Sequence, residues 1–167
     1  KKKTLANNIT IALSESIDTS RADILFGITT GSNYSYVSTS ITKGGFHHVS
    51  AVYDPKGDKR LKLAINDTVV SSSTRTVFDL VDQKGADLMI GTGEAARINN
   101  QVFTPQQSFS GSLDNFRVYH TARQRIDVQK DKRKTVYNHS DLKLIYGFNE
   151  PAGSYSGKDI ILDGSGN

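Results

Sequence analysis

The chain has no cysteine, no tryptophan, one methionine and three prolines in 167 residues. Without cysteine it forms no disulfide and no thiolate metal site, and the redox compartment leaves no mark on it. Without tryptophan, any stacking against a sugar falls to tyrosine and phenylalanine, seven of each. Glutamate is scarce too, at Glu15, Glu94 and Glu150 only. Glycosidases hold two carboxylates at a fixed separation across the scissile bond, and no Glu-x-Asp-x-x-Glu spacing occurs to place such a pair on one strand. No apolar run approaches the ~20 residues of a membrane-spanning helix, which predicts no membrane insertion. Lys1-Lys2-Lys3 is followed by polar Asn7-Asn8 rather than by an apolar stretch, so no secretory leader pattern is visible.

What remains is an ordinary globular composition, 36% hydrophobic and 23% charged, of a length that suits one core without staples. The net charge of +4 is mild. Its dense basic run is Lys130-Asp131-Lys132-Arg133-Lys134, which reads as the solvated end of a helix, where cations suit the macrodipole. Nucleic-acid binding, which wants basic residues clustered over one face, is not expected.

Short alternating or β-branched runs bounded by Gly, Asn, Asp and Ser fill the chain up to residue 119. Strands are expected at 9–13, 24–29, 34–39, 46–53, 61–65, 68–71, 86–91 and 109–119. Asp54-Pro55-Lys56-Gly57-Asp58 is a strong turn, since proline presets φ and glycine accepts a positive one. Asn66-Asp67 is a hairpin turn, and residues 92–107, polar and irregular, read as a loop. Residues 121–132 have helical composition, with Thr121 placed to cap the start. Residues 135–141 read as a linker. Leu142, Leu144, Tyr146 and Phe148 then alternate as one face of a last strand. The expected core is Phe46, Val52, Leu61, Leu63, Ile65, Ile90, Phe109, Leu113, Phe116 and Val118.

Two segments carry a resemblance. They are Phe46-His47-His48-Val49-Ser50-Ala51-Val52-Tyr53-Asp54 and Phe109-Ser110-Gly111-Ser112-Leu113-Asp114-Asn115-Phe116-Arg117-Val118-Tyr119. In order and spacing they resemble the signature strands of laminin-G-like, concanavalin A-like jelly rolls. The resemblance implies an all-β fold, a two-sheet antiparallel jelly-roll sandwich with one short helix. It also implies a rotated order. In the family, a Tyr-x-Phe-Asp-Glu strand and an Asp-x-Ser-Gly-Asn loop open the domain, whereas Tyr146-Gly147-Phe148-Asn149-Glu150 and Asp163-Gly164-Ser165-Gly166-Asn167 stand late in this chain. Residues 1–134 then form the sandwich, with opening strands apparently missing. Residues 142–167 form the opening strand and loop of a following, permuted or strand-exchanged jelly roll. Three origins stay open: an excerpt of a tandem array, a circular permutation, or a strand supplied to a neighbouring copy.

The residues offer little catalytic chemistry. His47 and His48 are adjacent, so on a strand they point to opposite faces and do not share a metal. His120 and His139 lack metal-ligand spacing. Gly153-Ser-Tyr-Ser-Gly157 places tyrosine where a nucleophile elbow needs serine, and Gly91-Thr-Gly93-Glu94 lacks the Lys-Ser/Thr of a phosphate loop. Four Asn-x-Ser/Thr sequons, at Asn8, Asn33, Asn66 and Asn138, are too near chance to argue from. The expectation is a non-catalytic module of recognition, adhesion or structure, outside the cell, at its surface or on a virion. The first alternative is a carbohydrate-binding, lectin-like domain, and the second a subunit that assembles by strand exchange. Tyr34, Tyr36, Asn99, Asn100 and Gln101 are the candidate ligand contacts for a glycan or surface protein. Neighbouring domains or copies of the same chain are the other expected partners. By resemblance, a structural calcium ion would lie at Asp114, Asn115, Asp163 and Asn167.

Overall fold

A computed structural model describes residues 7–31, 33–76, 78, 88–91, 95–98, 101–132, 134, 139–149 and 161–165. The chain divides into two compact units, Lys1–Ser110 and Gly111–Asn167.

In the first unit, β1 (Asn7–Glu15), β2 (Arg21–Thr30) and β3 (Asn33–Thr42) form one antiparallel sheet in chain order. A second sheet holds β4 (Val49–Tyr53), β5 (Leu61–Ile65) and β6 (Thr68–Ser72), also in order and antiparallel. The expected antiparallel sandwich is what forms. Ile24, Phe26, Ile28 and Val37 from the first sheet meet Leu61 and Leu63 from the second, with Phe78 closing one end. Leu61 and Leu63 expose nothing, as period two on a half-buried strand requires. Tyr53 packs its ring edge-on to Phe78 at 5.6 Å.

The turns explain their sequences. Asp54 Oδ1 accepts the N–H groups of Lys56 and Gly57 at 3.0 and 2.8 Å, and a Cβ on Gly57 would collide with the Asp54 carboxylate. Asn66 and Asp67 both take positive φ, 49° and 72°, the pair of values that a two-residue hairpin matched to strand twist demands. That turn reaches back to the adjacent histidines. His48 N–H donates to Asn66 Oδ1 at 3.0 Å, His47 Nε2 meets Thr42 O at 2.9 Å, and His48 Nδ1 lies 3.6 Å from the buried Asp67 carboxylate. The backbone at 46–48 is thus pinned by turn contacts rather than by a ladder, and the strand begins at Val49. Phe46, expected in the core, is consequently 76% exposed.

Other expectations shift as well. Residues 88–91 are not a strand, and 86–87 lie outside the described residues. The expected loop instead contains a hairpin, β7 (Ala96–Ile98) with β8 (Gln101–Phe103), and β7 lies against β2 and β3.

In the second unit, β9 (Phe116–Tyr119) pairs antiparallel with β10 (Leu142–Tyr146), so the late strand finds its partner within its own chain. Only 116–119 of the expected 109–119 strand joins a ladder, and Phe109 and Leu113 are exposed. A bulge at Lys143 breaks the expected alternation: Leu142 pairs with Tyr119 but Leu144 with Val118, Ile145 with Arg117 and Tyr146 with Phe116. One extra residue flips every later side chain to the other face. Hence Leu142 and Ile145 share the buried face, while Val118, opposite Leu144, is exposed. Phe148 leaves the strand at φ 54°.

Helix α1 (Arg125–Asp131) is shorter than expected and starts from Gln124 without a side-chain cap. Arg117 ties its C-terminal end to β9, with Nη1 donating to Asp131 O at 2.8 Å and Nη2 to Lys134 O at 2.5 Å. Arg123 bridges to Asp131 at 2.6 Å and stacks its guanidinium over Tyr119 at 4.9 Å. Of the expected linker at 135–141, residues 135–138 lie outside the described residues.

Candidate functional site

The register of the first sheet decides which side chains share its outer face, the one turned away from the core. Directly paired residues point to the same side. Because Phe26 and Val37 are paired and face the core, the outer face carries the alternate rows. Those rows are Asn8–Thr29–Tyr34, Thr10–Gly27–Tyr36, Ala12–Leu25–Ser38 and Ser14–Asp23–Ser40. Tyr34 and Tyr36 therefore stand side by side, as period two predicts, on a face of otherwise small and polar side chains. Tyr36 is 38% exposed and Tyr34 half-buried. Gly27 sits between Thr10 and Tyr36, and a Cβ placed on it would lie 3.5 Å from Tyr36 Cβ.

The β7–β8 hairpin supplies a second wall. Phe103 from β8 lines a cavity of about 120 Å³ with Ala12, Leu13, Ser14 and Leu25. Gln101, a candidate contact, begins β8 opposite Ile98, while Asn99 and Asn100 lie outside the described residues. The structure thus brings the strand carrying the tyrosines and the hairpin holding Gln101 into one unit, with β7 against β3. Sequence reading missed the hairpin itself. Its signal was Asn99-Asn100 between two short alternating runs, a two-residue turn pattern.

Asp23 is the one acidic side chain in these four rows, and its carboxylate is hydrogen-bonded to the Ser40 hydroxyl. Arg21 Nη2 donates to Ser40 O at 3.1 Å beside it. A lone carboxylate cannot divide acid and base or nucleophile roles across a glycosidic bond.

The candidate calcium ligands fall in the second unit. Asp163 bridges to Tyr146, whose other neighbour is Phe116, so Asp163 and the Asp114-Asn115 pair flank a row of strands rather than one point. Asp163 is occupied with its own loop. Its Oδ1 accepts the N–H groups of Ile145 at 3.0 Å and Ser165 at 2.9 Å, and its Oδ2 accepts the Ser165 hydroxyl at 2.9 Å. These bonds, the Ile145 N–H first, hold its carboxyl below the usual carboxylate range. Asn115 donates to Asp114 at 3.1 Å and turns its oxygen toward Arg117 Nη2 at 3.5 Å. Among the described residues these donors do not converge on a shared cation, and Asn167 lies outside them.

A laminin G model of the concanavalin A-like lectin/glucanases superfamily matches residues 5–129. No curated protein sequence and no solved structure matches the chain. The matched span takes in the whole sandwich core and both signature segments, and the chain belongs to this superfamily.

Proposed function

We propose that this member of the concanavalin A-like lectin/glucanases superfamily is a non-catalytic recognition module, displayed outside the cell or on a virion surface. Its binding surface is the outer face of the β1–β2–β3 sheet, and its partner is a surface glycan. The observation that carries the reading is the composition of that face: two adjacent tyrosines over small polar residues, with Asp23 as its only acid. An exposed aromatic on a rigid strand offers apolar area at low entropic cost, and the hydroxyls around it supply orientation. The glucanase half of the superfamily needs a second carboxylate that these rows lack. Among the described residues no helix is long and apolar enough to cross a membrane.

A glycan array probed with the full chain tests this, followed by titration of the best ligand against Tyr36→Ala. Binding that weakens at least ten-fold supports the reading, a change of about 1.4 kcal/mol. Undiminished binding by Tyr36→Ala would move the site elsewhere. Turnover of a polysaccharide that disappears in Asp23→Asn would overturn the non-catalytic assignment.

A further inference from the structure

Going beyond ligand recognition, the edge of the first sheet points to a partner of its own kind. β1 pairs with β2 on one side and, among the described residues, with nothing on the other. Ile9, Ile11 and Leu13 are paired with Ile28, Phe26 and Ile24, so all six point toward the core side of the sheet. Yet the β2 residues are 3–4% exposed, whereas Ile9, Ile11 and Leu13 are 56%, 52% and 39% exposed. The second sheet covers β2 and β3 and stops short of β1. A nine-residue edge strand, apolar on one face, carries none of the usual protections: no proline, no lysine, and a single charge at its end, Glu15.

We infer that β1 is a self-association edge, pairing antiparallel with β1 of a second copy about a two-fold axis through Ile11. A two-fold contact must be self-complementary, and this register is. Ile11 meets Ile11, Ile9 meets Leu13, Thr10 meets Ala12, Asn8 meets Ser14 and Asn7 meets Glu15 of the second copy. Apolar thus faces apolar, polar faces small or polar, and no like charges are opposed. The two three-stranded sheets become one six-stranded sheet, and the aliphatic side chains of both edges form one cross-strand patch. Three half-exposed aliphatic side chains and one strand edge fall short of the roughly 800 Å² per partner of a standard stable interface. The pairing is therefore a concentration-dependent equilibrium and not an obligate dimer.

The absence of cysteine makes the test clean. Residues directly opposite in an antiparallel pair have Cα atoms roughly 4.5–5.5 Å apart, inside the disulfide range. In the full chain, Ile11→Cys places its single thiol on the axis, whereas Leu13→Cys places its thiol opposite Ile9. Under air oxidation Ile11→Cys is expected to form a disulfide dimer at least ten-fold faster than Leu13→Cys, and Leu13→Cys mixed with Ile9→Cys to give the mixed dimer. Sedimentation equilibrium of the unmodified chain is expected to show dimer growing with concentration, weakened at least ten-fold by Ile11→Lys, which puts two charges on the axis. Equal oxidation rates for Ile11→Cys and Leu13→Cys overturn the inference. So does a chain that stays monomeric at millimolar concentration, and so does a dimer indifferent to Ile11→Lys, which would assign the association to another face. Glycan binding by the outer face is measured separately and stands or falls without it.

Discussion

Arg117 is the side chain whose removal tests most about how the second unit is held. It stands on β9, yet its guanidinium works on the end of α1, donating to Asp131 O at 2.8 Å and Lys134 O at 2.5 Å, with Asn115 Oδ1 at 3.5 Å. Those carbonyls follow the last helical turn and have no intrahelical donor. α1 has seven residues and no side-chain cap at its start, so it is too short to persist on propensity alone. A hydrogen bond to a charged group contributes ~1.5–3 kcal/mol. One of the two strong bonds is partly redundant, because Lys134 N–H also reaches Asp131 O at 3.2 Å. The expected cost of Arg117→Ala is therefore about 2–3 kcal/mol, at the level of a bond and a fraction. Arg117→Lys is expected to recover less than half, since a single ammonium cannot fork to two carbonyls. Urea unfolding gives the total, and amide hydrogen exchange locates it. Exchange of α1 should quicken while that of β2, in the other unit, stays unchanged. A loss below ~0.5 kcal/mol, the scale of a neutral surface substitution, with α1 protection intact, would refute the reasoning and leave the arginine a bystander.

Three further outcomes follow from burial and charge. Leu61→Ala and Leu63→Ala, each emptying a site with no exposure, should each cost about 2–5 kcal/mol by urea denaturation. Val118→Ala, at a 39% exposed position, should cost less than ~1 kcal/mol on the lower end of that same scale. Asp163 has a lowered carboxyl pKa caused first by the Ile145 N–H and then by Ser165. Its contribution is thus present above the unfolded value of ~3.9 and lost as pH falls through the lower folded value. Amide exchange at Ile145 and Ser165 should accelerate on acidification below about pH 4, and Asp163→Asn should remove most of that pH dependence.

The sequence made the inner rows of the sandwich legible because alternation reports directly on a face that is buried. Leu61, Leu63 and Ile65 were read as inward from period two alone, and the first two are sealed. The two signature segments pointed to the superfamily, and the Asp54 and Asn66-Asp67 turns announced themselves because positive φ and side-chain-to-backbone bonds restrict which residues fit. What stayed hidden was decided between strands. The alternation of Leu142, Leu144, Tyr146 and Phe148 is real in the sequence, but the bulge at Lys143 regroups it, putting Leu142 with Ile145 and leaving Tyr146 to stack on Phe116 at 6.4 Å. No local propensity at Lys143 signals that.

The candidate site divides in the same way. Period two placed Tyr34 and Tyr36 on one face, and the structure adds what stands beside them, Gly27 in the neighbouring strand and a hairpin whose alternating runs are only three residues each. β1 shows the limit most plainly. Its alternation identified which side is apolar, but whether a layer lies over that side depends on how far the opposite sheet extends. That extent is fixed by the lengths and order of β4, β5 and β6, not by anything within β1. The apolar side of an edge strand is therefore ambiguous in sequence between core and contact surface. In this chain the exposure of Ile9, Ile11 and Leu13 beside the sealed Ile28, Phe26 and Ile24 decides for contact surface.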